Sequence, residues 1–164
     1  MRIIIALILA LFLASCSQKP TVDFTAPPPN INAPIAFFGE GNMKLDMQRE
    51  YAIALQNAGL YNFITENITE EQIENAIEIR LNYIEEKEIH FNSVPAQVIK
   101  AEFRKKDLVW FNLIIREKSD QINFSDPRRK ATEKKRLQKA LLERFVGEVR
   151  RTSASSMPAK SCKG

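Results

Sequence analysis

The chain has 164 residues, 45% of them hydrophobic, with 24 Lys and Arg against 20 Asp and Glu, a length that suits one compact domain. A single His and two Cys exclude a four-ligand structural zinc site of the usual kind. The five glycines form no phosphate-binding loop.

The first element is a targeting segment. Arg2 is followed by an unbroken apolar run from Ile3 to Leu13, then by the small residues Ala14 and Ser15, and then by Cys16. A short basic start, an apolar stretch of about 7–15 residues and a small-residue end define an export signal. The run is too short for a transmembrane helix, which needs roughly 20 apolar residues. It also lacks the polar face of an ordinary amphipathic core helix.

Leu13-Ala14-Ser15-Cys16 resembles the lipobox of bacterial lipoproteins at all four positions. The resemblance implies lipid on the Cys16 thiol, cleavage just before it, and frequent acylation of the new amine. A cysteine is needed because its thiolate is the nucleophile. Ser17, in place of Asp, resembles the outer-membrane rather than the inner-membrane sorting signal. One acyl chain binds reversibly, whereas two or three on one residue hold permanently. Residues 1–15 are thus read as the lipoprotein signal peptide, leaving 149 residues.

Residues 16–34 are read as the lipidated Cys and a Pro-rich tether. Five of the eight prolines lie here, Pro20, Pro27, Pro28, Pro29 and Pro34. Extended at about 3.1 Å per residue, such a spacer reaches roughly 55 Å.

The domain is placed at 35–151. Ile35–Phe38 reads as a strand, and Asn42 is a candidate cap for a helix whose face carries Met43, Met47, Tyr51, Ala54, Leu55 and Ala58. Gly59 ends that helix, and residues 60–65 predict a brief extended piece. Thr69-Glu70-Glu71-Gln72 is a capping box opening a short helical turn.

Ile77, Ile79, Leu81 and Tyr83 then alternate with Glu78, Arg80 and Asn82, the pattern of a strand with one dry and one wet face. Ile99, Ala101 and Phe103 repeat that alternation. After a tight turn at Lys105-Lys106-Asp107, the run Leu108–Ile115 is apolar on both faces, which predicts a strand in mid-sheet under a helix. Asp126-Pro127 starts a last helix, with Leu137, Leu141, Phe145 and Val149 as its buried stripe and an end near Arg151. The expected fold is α+β: a small antiparallel sheet with two helices on one face, in the order β-α-β-β-β-α. Residues 152–164 are read as a disordered tail. Its Cys162 either pairs with another protein or makes no bond.

This order behind a lipobox resembles, over residues 35–151 and in pattern only, small envelope-assembly lipoproteins. They include the lipopolysaccharide-assembly lipoproteins and the auxiliary lipoproteins of ABC-type lipid transporters. No motif beyond the lipobox carries functional residues across.

Catalytic signals are few. His90 is the lone histidine, and Ser93 nearby lacks a G-x-S-x-G elbow. Glu85, Glu86 and Glu88 follow one another at a strand end and read as a solvated edge. No catalytic residue, metal or cofactor is expected.

Charge, by contrast, is sharply divided. Residues 40–99 hold 4 basic and 11 acidic side chains, whereas residues 100–164 hold 18 basic and 8 acidic ones. Arg128, Arg129, Lys130, Lys134, Lys135, Arg136 and Lys139 crowd the first half of the last helix, with Glu133 the lone acid among them. Two readings stay open: a patch for anionic lipid or an acidic partner, or a solvated face neutralised by the Glu-rich segment 66–88.

The expected role is a non-enzymatic accessory or assembly component of a membrane complex, in secretion or in lipid or lipopolysaccharide transport. It would hang from the outer membrane by lipid on Cys16, facing the periplasm and docking an envelope protein. The second expectation is a module binding an anionic glycolipid or phospholipid. The compartment disfavours nucleic acid.

Overall fold

The computed structural model describes residues 19–24, 34–86, 95–119 and 126–155. The lipobox, His90, Ser93, Glu88 and Cys162 lie outside the described residues. The elements are β1 (Thr21–Phe24), β2 (Ile35–Phe38), α1 (Leu45–Asn57), β3 (Asn62–Phe63), α2 (Glu70–Asn75), β4 (Ile77–Glu86), β5 (Ala96–Lys105), β6 (Leu108–Lys118) and α3 (Pro127–Ser155).

The α+β class holds, and so do the three long antiparallel strands. Their sheet is larger than the sequence suggested: six strands in the order β1-β6-β5-β4-β2-β3. It is mixed, because β2 runs parallel to both β3 and β4. A parallel neighbour needs a crossover, and here α1 and α2 lie in the chain between β2 and β4.

β1 corrects the tether. Thr21–Phe24 does not act as spacer but pairs antiparallel with β6, Thr21 opposite Ile114 and Phe24 opposite Phe111. Backbone pairing is not visible in a Pro-rich composition, and TVDF has its own β-compatible residues. The helix end is corrected as well: α3 continues past Arg151 to Ser155, and its own Thr152 is buried.

The period-2 pattern sorts the sheet into two faces. On one, Ile79 stands opposite Phe103 and Leu81 opposite Ala101. Next to these, Phe103 meets Phe111, Ala101 meets Leu113 and Ile99 meets Ile115. α1 and α3 cover this face. Phe103 stacks on Phe111 with centroids 4.1 Å apart and lies 6.3 Å from Phe145, which in turn meets Tyr51 at 5.1 Å. Such rings supply the largest share of the core per residue, at about 1.5–3 kcal/mol each for burial.

The other face mixes the apolar Ile84, Val98 and Ile114 with charged residues, including ion pairs between Arg80 and Glu78 at 2.7 Å and between Arg104 and Glu102 at 3.5 Å. β5 and β6 lose register between Phe103 and Arg104, the irregularity a bulge produces. The turn at Lys106 takes a φ of 54°.

Local signals decide the remaining boundaries. The capping box is formed in both directions, Gln72 N donating to Thr69 Oγ1 at 3.2 Å and Thr69 N to Gln72 Oε1 at 3.0 Å. Gly59 has a φ of 70°, as a helix-ending glycine should.

Asn42 departs from its expected capping role. α1 starts at Leu45 with Lys44 before it, and the Asn42 side chain instead accepts the Tyr83 N–H at 2.6 Å. Together with the Gly39 N–H, which donates to the Ile79 carbonyl at 3.0 Å, this carries the chain along β4 beyond the end of β2. Gly41 makes that approach possible, since a Cβ there would stand 2.3 Å from the Leu81 carbonyl oxygen.

Candidate functional site: the basic end of the last helix

α3 has 29 residues and is therefore about 44 Å long. β5 with its 10 residues spans about 33 Å. The helix is thus longer than the sheet it lies on. Its first buried residue is Leu137, and every residue from Asp126 to Thr132 is exposed. The helix start projects past the sheet.

Asp126 closes that start. Its Oδ1 accepts the Arg128 N–H at 2.9 Å, and its carbonyl accepts the Lys130 N–H at 3.1 Å, the geometry of an N-cap. The negative cap offsets part of the unfavourable meeting of basic side chains with the helix dipole, a matter of a few tenths of a kcal/mol per charge.

Register shows which end of the sheet the helix overhangs. The Ser119 hydroxyl, one residue after β6, donates to Glu133 Oε1 at 2.9 Å. Lys134 pairs with Glu85 near the end of β4, and its carbonyl accepts Gln97 Nε2 from the start of β5 at 3.5 Å. Arg144 pairs with Glu117 of β6 at 2.9 Å. All four contacts lie at the end formed by Glu86, Ala96 and Lys118.

The seven basic residues therefore divide. Lys134 is joined to Glu85, Arg136 to Glu133, and Lys139 loosely to Glu143 at 3.9 Å. Among the described residues, Arg128, Arg129, Lys130 and Lys135 have no ion-pair partner. Helical spacing sets Arg128, Thr132, Lys135 and Lys139 on one outward line.

Of the acids 66–88, Glu85 alone among the described ones pairs with the helix, and Glu86 pairs instead with Arg116. The acids at this end are thereby engaged: Glu85, Glu86, Glu117 and Glu133 each hold a cation. Hydrogen bonding from Lys134 holds the Glu85 carboxyl below the usual carboxylate range, and Arg136 does the same for Glu133. Charge left over at this end is positive.

Lys118 adds to it. It is exposed at the end of β6, one residue before Ser119, and sequence order alone could not bring it to the helix start; only the β6–α3 contact does. Behind this surface the helix is fixed by the Tyr83 hydroxyl, which bonds Gln138 and Glu85 and is pushed up to about 12 by burial.

Elsewhere, a shallow groove of about 350 Å³ lies at the opposite end of the sheet, lined by Phe37, Ile73, Glu74, Glu78, Lys106 and Asp107. Its side chains include no hydroxyl, thiol or imidazole. Among the described residues, no group of three or more His, Cys, Asp or Glu is placed to hold a metal ion, and no helix is long and apolar enough to cross a membrane.

No protein-family model matches the chain, and no curated protein matches it in sequence. Solved structures similar to it include a minor lipoprotein from Acinetobacter baumannii, with a TM-score of 0.49, 11% identity, and coverage of 79% of this chain and 97% of that one. Another is a PelC dodecamer from Paraburkholderia phytofirmans, with a TM-score of 0.48, 11% identity, and coverage of 80% and 98%. At 11% identity neither carries a site residue across.

Proposed function

We propose that this chain is a lipid-anchored lipoprotein of the bacterial envelope, acting without enzymatic activity as an accessory or assembly component of a membrane complex. The observation that carries the reading is Leu13-Ala14-Ser15-Cys16 directly behind an eleven-residue apolar run. Lipid on Cys16 sets the compartment, and Ser17 directs the chain to the outer membrane, facing the periplasm.

The test has two parts. Intact-mass measurement of the protein from membranes should show cleavage before Cys16 and a mass gain of acyl chains, both lost in Cys16→Ser. Capture from gently solubilised membranes should then yield a stoichiometric envelope protein. An unmodified Cys16 ends the reading.

A second reading is favoured by Arg128, Arg129, Lys130 and Lys135, exposed and without ion-pair partners among the described residues: the basic helix start holds an anionic lipid. Co-purified anionic lipid without a stoichiometric protein partner would select it.

A further inference from the structure

We infer that the basic start of α3 binds the anionic phospholipid surface of the same membrane that holds the Cys16 lipid, so that anchor and helix together fix which end of the domain faces the bilayer. The inference rests on the proposed lipidation and on the anionic-lipid reading of the helix start, and adds that both attachments engage one membrane and so fix the orientation.

The argument begins with β1. Because it is antiparallel to β6, with Thr21 opposite Ile114 and Phe24 opposite Phe111, its first residue points toward the Lys118 end of the sheet. That is the end over which α3 projects. β6 lies beside β1 and also beneath α3, so the lead toward Cys16 and the basic helix start flank one strand.

Distances agree. Cys16 precedes Thr21 by five residues, a reach of at most about 17 Å. From Ile114, opposite Thr21, to Ser119, bonded to Glu133, is also five residues, again about 17 Å along a strand. Five residues cannot carry Cys16 farther past Thr21 than about the level where Glu133 meets the sheet. Residues 127–132 extend about 9 Å beyond that level.

A spacer of the full tether's reach, roughly 55 Å, would have held the domain many Debye lengths from the headgroups. The lead of four residues between Cys16 and β1 does not. At physiological salt the Debye length is about 8 Å, and a surface potential acts over that range. Arg128, Arg129 and Lys130 lie on the stretch that reaches past the level of Glu133, with Lys135 just inside it, while Glu85, Glu86, Glu117 and Glu133 are already paired and the cap Asp126 offsets one charge of the four. Each Lys or Arg near an anionic surface strengthens binding about fivefold.

The experiment uses the lipidated full-length product with Cys162→Ser, carrying a fluorophore at Thr132→Cys or, at the opposite end, at Asp107→Cys. Each protein is reconstituted in vesicles containing a headgroup-bound quencher, either phosphatidylcholine alone or phosphatidylcholine with phosphatidylglycerol. Quenching is expected at position 132 in the phosphatidylglycerol vesicles, with little at position 107. It should be lost in phosphatidylcholine alone, in about 1 M salt where the Debye length shrinks to about 3 Å, and in the variant R128E/R129E/K130E/K135E. Equal quenching at both positions, or quenching at 132 that ignores lipid charge and salt, overturns the inference while leaving lipidation intact. A product whose mass shows no lipid on Cys16 overturns the anchor first and the shared-membrane geometry with it.

Discussion

The first and second halves of α3 continue one helix but meet different surroundings. From Leu137 onward, Leu141, Phe145, Val149 and Thr152 face the sheet and are buried, so that half is held by apolar area. From Asp126 to Thr132 nothing is buried, and that stretch stands on its backbone hydrogen bonds, a cap and helix continuity. The difference teaches that charge in the leading half can be altered with little effect on folding, whereas the trailing half belongs to the core.

The comparison is broken most forcefully at its buried end. Phe145 touches both Phe103 and Tyr51, and Phe145→Ala should cost about 3–5 kcal/mol, read as a large fall in the midpoint of denaturant unfolding. A loss under 1 kcal/mol would mean α3 is not packed as described. Gly41→Ala comes next. A Cβ at 2.3 Å from a backbone oxygen forces the chain off β4 and should cost about 1–3 kcal/mol, with exchange of the Tyr83 amide as the local readout.

Asp126→Ala sharpens the contrast, because its effect should stay in the projecting turn. Loss of a cap is worth about 0.5–2 kcal/mol, visible as faster amide exchange at Arg128 and Lys130 while Leu141 and Phe145 keep their protection. Acid should act nearby. The carboxyls of Glu85 and Glu133 are held below their ordinary value of 4.5. Their stabilisation is therefore present above about that pH and is lost as pH falls through the lowered folded values. Both partners of the Lys134–Glu85 pair are about half exposed, which keeps its share under about 1 kcal/mol. Lys134→Ala should flatten the acid side of a melting-temperature profile, and an unchanged profile would detach the pair from stability.

The smallest effect is expected where the functional claim is largest. Arg128→Glu with Lys135→Glu should alter stability by no more than about 0.5 kcal/mol, while changing membrane contact. Parallel loss of folding and binding would erase the distinction between the two halves.

Much of the fold was legible because its signals are local. The alternation from Ile77 to Tyr83, the Thr69–Gln72 box, Gly59 and the Asp126-Pro127 start each depend on residues a few positions apart. Asn42 misled for the same reason: as a short polar residue ahead of a helix it has the makings of a cap, yet the Tyr83 N–H, 41 residues away, takes its oxygen. β1 was hidden by its setting among prolines, since four residues say little about pairing until β6 is seen beside them. The basic cluster was evident as composition. Two of its ion pairs follow from helical spacing, Arg136 with Glu133 and Lys139 with Glu143, whereas Lys134 needed the fold to bring Glu85 within reach.

Sequence by itself determined the α+β class, the dry and wet faces of the long strands, and the concentration of positive charge at one helix start, and it carries the lipobox-like pattern on which the proposed anchor rests. Those are matters of period, composition and short motifs, which physical chemistry reads along the chain. Tertiary structure alone decided that β1 joins the sheet, that β2 lies parallel to β4, and that the basic helix start overhangs the end toward which β1 leads back to Cys16. Strand neighbours and helix overhang are set by cross-sheet register and by the length of one element against another, and neither quantity is written in the local order of residues.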